Sequence, residues 1–203
     1  MVRLRPNLRG LVPCTRGFTV LEVMLASSIV LIVAALSVPA TTGVLDEVRT
    51  GMAARYLEGR ILSARAAAVR RSAHIALRFE ATDSDYRVSE YLDGNGNGVR
   101  SAEIAARIDP ELAGPQRIGH LFPGVTFGLL PGLPDVDGAR ATGTDGVRIG
   151  VSRLLTLGPD GTASSGTLYV RGRRGQYAVR ILGATGRTRV LRFHPATMGW
   201  VVP

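Results

Sequence analysis

The stretch that most constrains this chain is Arg16-Gly17-Phe18-Thr19-Val20-Leu21-Glu22, with the apolar run that follows it to position 40. From position 18 to 40 the only ionisable side chain is Glu22. As a helix rising 1.5 Å per residue, a run of that length spans roughly 35 Å, enough to cross a bilayer core. A carboxylate in such a run costs about 2.5–3.5 kcal/mol on insertion scales at mid-membrane. It needs a partner, and the run holds no basic residue. The partner therefore belongs on another chain. A secretory signal has a shorter apolar core with its small-residue cleavage site behind it. Here the Gly17-Phe18 junction comes first.

This arrangement resembles the type IV prepilin signal shared by type IV pilins and type II secretion pseudopilins. The resemblance implies that a prepilin peptidase cuts between Gly17 and Phe18 and methylates the new amino terminus at Phe18. Glu22 would become the fifth mature residue, and its carboxylate would meet the Phe18 amine of a neighbouring subunit. Opposite charges attract more strongly at low dielectric, although desolvation offsets much of the gain.

Charge and cysteine usage set further bounds. The chain has 203 residues, and all 25 of its Lys+Arg residues are arginine. A P-loop lysine and a Schiff-base lysine are thereby excluded. The leader carries Arg3, Arg5, Arg9 and Arg16 and no acid, which keeps it cytoplasmic and turns the C-terminal bulk outward. The single cysteine, Cys14, lies in this leader. The mature chain would have no disulfide, no Cys-ligated zinc and no Cys nucleophile. Net charge is uneven: residues 18–160 sum to −2, whereas residues 161–203 hold seven arginines and no acid. Such asymmetry marks an anion-facing surface.

Periodicity divides the rest. Between positions 41 and 73, Leu45, Val48, Met52, Tyr56, Leu57, Ile61, Ala64 and Ala68 recur at helical spacing, an amphipathic continuation of the first helix. Pro39 should kink it. From position 74 the period becomes two. Strands are expected at 74–80, 86–92, 117–122, 125–129, 147–152, 154–157, 166–171, 176–182, 188–194 and 198–202, with an exposed loop at 131–145. The expected fold is α+β: a leader (1–17), a long helix whose first half spans the membrane (18–40) and whose second half is an amphipathic stalk (41–73), and a β-rich head of two small antiparallel sheets (74–203).

The run Leu157-Gly158-Pro159-Asp160-Gly161-Thr162-Ala163-Ser164-Ser165-Gly166-Thr167-Leu168 resembles a Pro-Gly stretch of the GspH/FimT pseudopilins. Gly186-Arg187-Thr188-Arg189 resembles their glycine-arginine motif. The family resemblance implies a minor pseudopilin of the H type. It would be held in the inner membrane with its head in the periplasm and would join other pseudopilins in a filament that acts on secreted proteins. FimT-type minor pilins are the alternative. In those proteins Gly-Arg-x-Arg is implicated in binding DNA, a role that would fall here to Arg187 and Arg189. Arginine suits phosphate because its planar fork makes paired hydrogen bonds. Arg171, Arg173, Arg174, Arg180 and Arg192 would widen the patch.

Asp93, Asn95, Asn97 and Glu103 are the metal candidates, since alternate oxygen ligands around Gly98 resemble a calcium loop. The bidentate acid stands eleventh, not twelfth, so calcium would bind weakly, and an Asn-Gly turn explains the same residues. No catalytic set is visible, and no other cofactor is expected. His74, His120 and His194 stand apart, Asp83/Asp85 and Asp135/Asp137 read as turn or loop acids, and no His-Glu-x-x-His or Gly-x-Ser-x-Gly occurs. The chain reads as a non-enzyme.

Overall fold

The computed structural model describes residues 17–83, 85–139 and 143–203, with side chains left out over 36–42. Positions 1–16, the bulk of the expected leader 1–17 and including Cys14, lie outside the described residues, and the expected kink at Pro39 falls where no side chain is described. The chain divides into two compact units, Met1–Thr41 and Thr42–Pro203.

Helix α1 is assigned to Val20–Arg71. In the first unit its described apolar residues, among them Leu21, Met24, Leu25, Val30 and Leu31, are exposed. The expectation of a long apolar helix with a membrane-spanning first half is corrected: among the described residues no helix is long and apolar enough to cross a membrane. Within 20–35, Glu22, Ser27 and Ser28 interrupt the apolar side chains. The architecture is a β-rich fold of two antiparallel sheets with a 29-residue helix, the portion of α1 over 43–71.

In the second unit the strands follow the helix in order. They are β1 (Ile75–Ala81), β2 (Tyr86–Leu92), β3 (Glu111–Arg117), β4 (Thr126–Phe127), β5 (Val147–Arg148), β6 (Leu154–Leu157), β7 (Gly166–Arg171), β8 (Gln176–Leu182), β9 (Arg187–His194) and β10 (Gly199–Val201). One sheet has the order β3-β2-β1-β6. The other runs β10-β9-β8-β7-β4, with β5 also paired to β7. The turn between β1 and β2 is closed by Thr82, whose N–H and hydroxyl both donate to the Asp85 carbonyl at 2.8 Å.

The strand expected over 117–122 fails locally, and the one expected over 147–152 shrinks to β5. Residues 118–121 form a helical turn, α3 (Ile118–Leu121), after a short α2 (Ser101–Ala105). The Phe122 N–H closes α3 on the Ile118 carbonyl at 2.9 Å, and the turn plants Ile118 in the core. Strand β3 was not expected. It is a sheet edge carrying Gly114 and Pro115, where proline is tolerated and alternation is lost.

The main core lies between the helix and the inner faces of both sheets. Ala53, Ala54, Leu57, Ile61, Ala64 and Ala68 meet Ile75, Leu77, Leu155, Leu157, Leu168, Val179 and Ile181. Each fully buried Leu or Ile contributes about 1.5–3 kcal/mol. The alanines let the helix backbone approach the sheets closely. Leu45, Val48 and Met52, expected in the same stripe, are exposed instead. A smaller cluster of Leu129, Tyr169, Ala178 and Leu191 covers the outer face of the second sheet, with Leu133, Val136 and Trp200 packed on it.

Candidate functional site

The C-terminal arginines are adjacent in sequence but not in space. Strand alternation sends Arg187, Arg189 and Leu191 of β9 to the outer face, and Thr188, Val190 and Arg192 toward the helix. Arg192 forms an ion pair with Glu47 of α1. Arg173 and Arg174 sit in the β7–β8 turn, where their backbone N–H groups donate to Asp46 Oδ1 and Oδ2 at 2.8 Å each. The Gly175 N–H adds a third bond to Oδ2 at 3.0 Å. Burial opposes the charged form of Asp46, but these N–H groups and the Arg173 charge outweigh it and hold its carboxyl below the ordinary value. Arg180, on β8, pairs with Asp137 and stands directly opposite Arg189 in the sheet. Arg187 and Arg189 are exposed, and among the described residues neither guanidinium has a hydrogen-bond or ion-pair partner. On the outer face this leaves Arg180, Arg187 and Arg189 near one another, with Arg171 at the other end of β7, opposite Gln176 and beside Gly128.

The two C-terminal motif stretches meet at one point. Arg65 of the helix donates from Nε to the Gly161 carbonyl at 2.8 Å. Gly186 has φ +58, and a Cβ there would lie 2.3 Å from the Gly161 oxygen and 2.7 Å from Arg65 Nε. Only glycine fits both the left-handed backbone and that approach. The glycine of Gly186-Arg187 is therefore a joint between helix, turn and strand, and it aims β9.

The Asp93 loop is organised by backbone hydrogen bonds. Asp93 Oδ1 accepts from the N–H groups of Asn95 (3.2 Å) and Gly96 (2.7 Å). Its Oδ2 accepts from Gly98 N–H at 2.7 Å and faces His74 Nδ1 at 3.4 Å. Burial raises the pKa of this group, but the three N–H donors and His74 win, and the carboxyl lies below its ordinary value. Asn95 and Asn97 donate from Nδ2 to Glu103 Oε1 at 3.3 and 2.8 Å. Both Asp93 oxygens and Glu103 Oε1 thus face N–H groups, whereas Glu103 Oε2 is buried without a hydrogen-bond partner among the described residues. Among the described residues no three His, Cys, Asp or Glu side chains gather to hold a metal. Asp109, not singled out in the sequence, closes the loop by accepting from the N–H groups of Gly94 (3.1 Å) and Arg100 (3.0 Å). Its spacing from Asp93 carries no motif, so no local signal reveals it.

At the N-terminal signal, Gly17 and Phe18 are exposed. Glu22 N–H donates to Thr19 Oγ1 at 3.2 Å, and Thr19 N–H reaches Glu22 Oε2 at 3.4 Å. This reciprocal pair is a capping box. The Thr19-x-x-Glu22 spacing announces it, and the sequence reading passed over it. The box gives the carboxylate a local task in the isolated chain, at the positive end of the helix.

His74, His120 and His194 differ in role: among the described residues only His74 contacts a carboxylate. Comparison with protein-family models, curated proteins and solved structures finds no match.

Proposed function

We propose that the chain is a minor pseudopilin of the type II secretion H type, a structural subunit of a periplasmic filament. The observation that carries this reading is the Gly17-Phe18-Thr19-Val20-Leu21-Glu22 signal, followed by apolar side chains exposed from Phe18 onward. Exposed apolar surface of that extent is a site of association. Before assembly the inner membrane would cover it; in the filament, equivalent segments of other subunits would. In the second unit Val44, Leu45, Val48 and Met52 are exposed as well. On this reading Glu22 exchanges its capping partner for the methylated Phe18 amine of a neighbour. The chain is then a substrate of prepilin peptidase rather than an enzyme, and its filament acts on secreted proteins.

The test is mass spectrometry of the protein from membranes of cells with an active prepilin peptidase. The expected species begins at N-methylated Phe18. A chain that still begins at Met1 refutes the reading.

A second reading is favoured by one observation, the exposed and unpartnered Arg187 and Arg189. It makes the chain a FimT-like pilus subunit that binds DNA along its phosphates. Titration of labelled duplex DNA at two salt concentrations tests it. Binding should weaken steeply with salt and vanish in Arg187→Ala/Arg189→Ala. No binding at low salt removes it.

A further inference from the structure

The outer face of the second sheet carries a straight row of arginines. Arg148 stands opposite Thr167, Thr167 opposite Arg180, and Arg180 opposite Arg189. One line across β5, β7, β8 and β9 therefore bears three guanidinium groups. With strands about 4.8 Å apart, Arg180 and Arg189 start about 5 Å from each other, and Arg148 and Arg180 about 10 Å. Like charges so placed repel, so the row needs counter-charge.

The chain supplies part of it. Asp135 Oδ2 faces Arg148 Nη1 at 3.8 Å, and Asp137 pairs with Arg180. The strap is seated by its own backbone: Asp135 Oδ1 accepts from the N–H groups of Asp137 (3.0 Å) and Ala139 (2.8 Å), and Val136 N–H donates to the Tyr169 hydroxyl at 3.1 Å. Two acids serve three arginines. Among the described residues Arg148 Nη2 is buried without a hydrogen-bond partner, its guanidinium lying over the Tyr169 ring, and Arg189 has no hydrogen-bond or ion-pair partner. Cavities open on both sides of the strap. One, of about 330 Å³, lies among Arg148, Thr167, Ser165 and Arg180. The other, of about 460 Å³, lies among Arg180, Arg189, Leu191 and Trp200.

We propose that this face binds an acidic peptide segment of a partner protein, and that Asp135-Val136-Asp137 is a built-in occupant which the partner displaces. The chemistry is already displayed: two peptide carboxylates, two positions apart, on two of the three arginines. The Asp137 side chain is 68% exposed, and an exposed pair holds weakly. A segment with three or more acids matches the whole row and outcompetes the strap. Peptide is favoured over single-stranded nucleic acid because Trp200, the aromatic in this groove, is already engaged. Its ring meets Tyr169 and Phe193 with centroids 5.6 and 5.5 Å away, and its Nε1–H donates to the Pro134 carbonyl at 3.1 Å. It is a poor platform for a base. The inference stands whether or not the chain is a pilin subunit.

The experiment uses the full chain in mild non-ionic detergent and fluorescein-labelled hexa-aspartate at low salt, read by anisotropy. Wild type should bind. Asp137→Asn, which frees Arg180, should bind roughly tenfold tighter, and Arg189→Gln roughly tenfold weaker. Arg189 is exposed, so its substitution is expected to leave the fold intact. Equal affinity of Asp137→Asn and wild type overturns the strap. Equal affinity of Arg189→Gln and wild type overturns the row. Displacement of the label by single-stranded DNA at lower charge concentration than by unlabelled hexa-aspartate overturns the peptide in favour of nucleic acid.

Discussion

Asp46 offers the sharpest test of how the helix is held to the second sheet. Its carboxylate takes three N–H groups of the β7–β8 turn. Hydrogen bonds to a charged group are worth about 1.5–3 kcal/mol each when buried, and partial exposure lowers that figure. Asp46→Ala should therefore cost about 2–4 kcal/mol in total. The sign with pH follows from its lowered carboxyl. The stabilisation is fully present above the unfolded value near 3.8 and is lost as pH falls through the lower folded one. Urea unfolding of wild type and Asp46→Ala at neutral pH should show the full difference at unchanged m-value, and the two proteins should converge in strong acid. Hydrogen exchange gives a local check, since the amides of Arg173, Arg174 and Gly175 should lose protection in the variant. A neutral-pH difference below about 0.5 kcal/mol, within the range of ordinary surface substitutions, would falsify the reasoning. So would a difference that persists unchanged in acid.

Other outcomes follow from the same geometry. Gly186→Ala places a Cβ 2.3 Å from the Gly161 oxygen at a left-handed φ; it should cost about 1–3 kcal/mol, read by chemical denaturation, and a neutral result refutes the joint. Tyr86 donates to Asp145 Oδ1 at 2.6 Å, and burial together with this bond pushes its hydroxyl up to about 12. The stability it adds should be present below its unfolded value of 10.0 and fade as pH rises toward about 12. Absorbance titration should show one late-ionising tyrosine fewer in Tyr86→Phe than in wild type. Asp93→Ala should destabilise the loop by about 1–3 kcal/mol, and millimolar calcium should leave the wild-type melting temperature unmoved; a rise of several degrees would show that the loop oxygens serve a cation instead.

The strands with clear alternation were legible. Residues 86–92, 166–171 and 176–182 fall where the period-two pattern puts them, because each has one face in a core. Strand β3 was not legible, since an edge interrupted by Gly114 and Pro115 keeps no period. The helix pattern misled in a specific way. Periodicity reports that Leu45, Val48 and Met52 share a stripe, but not that the sheets approach the alanine side at Ala53, Ala54 and Ala64. The apolar run was obvious, yet the inference from it to a membrane-spanning helix did not survive. At the candidate sites, the Asp93 turn and the Thr19–Glu22 box are short-range and readable in principle. The Asp46 cap, and the placement of Asp135 and Asp137 on Arg148 and Arg180, depend on strand register. No local signal carries register between elements so far apart in the chain.

The sequence distance between Asp46 and its partners also sets a timetable. The carboxylate finds its N–H donors 127, 128 and 129 positions later. At roughly 5–20 residues per second, the ribosome takes about 6 to 25 s to deliver them. For much of that interval the apolar side of the helix and β1 have been made, but β6, β7 and β8, which complete its cover, have not. Closing so long a loop is slow, and the bare helix is then an aggregation hazard. A nascent chain stalled near position 150 should be held by a chaperone, and one released past position 182 should not.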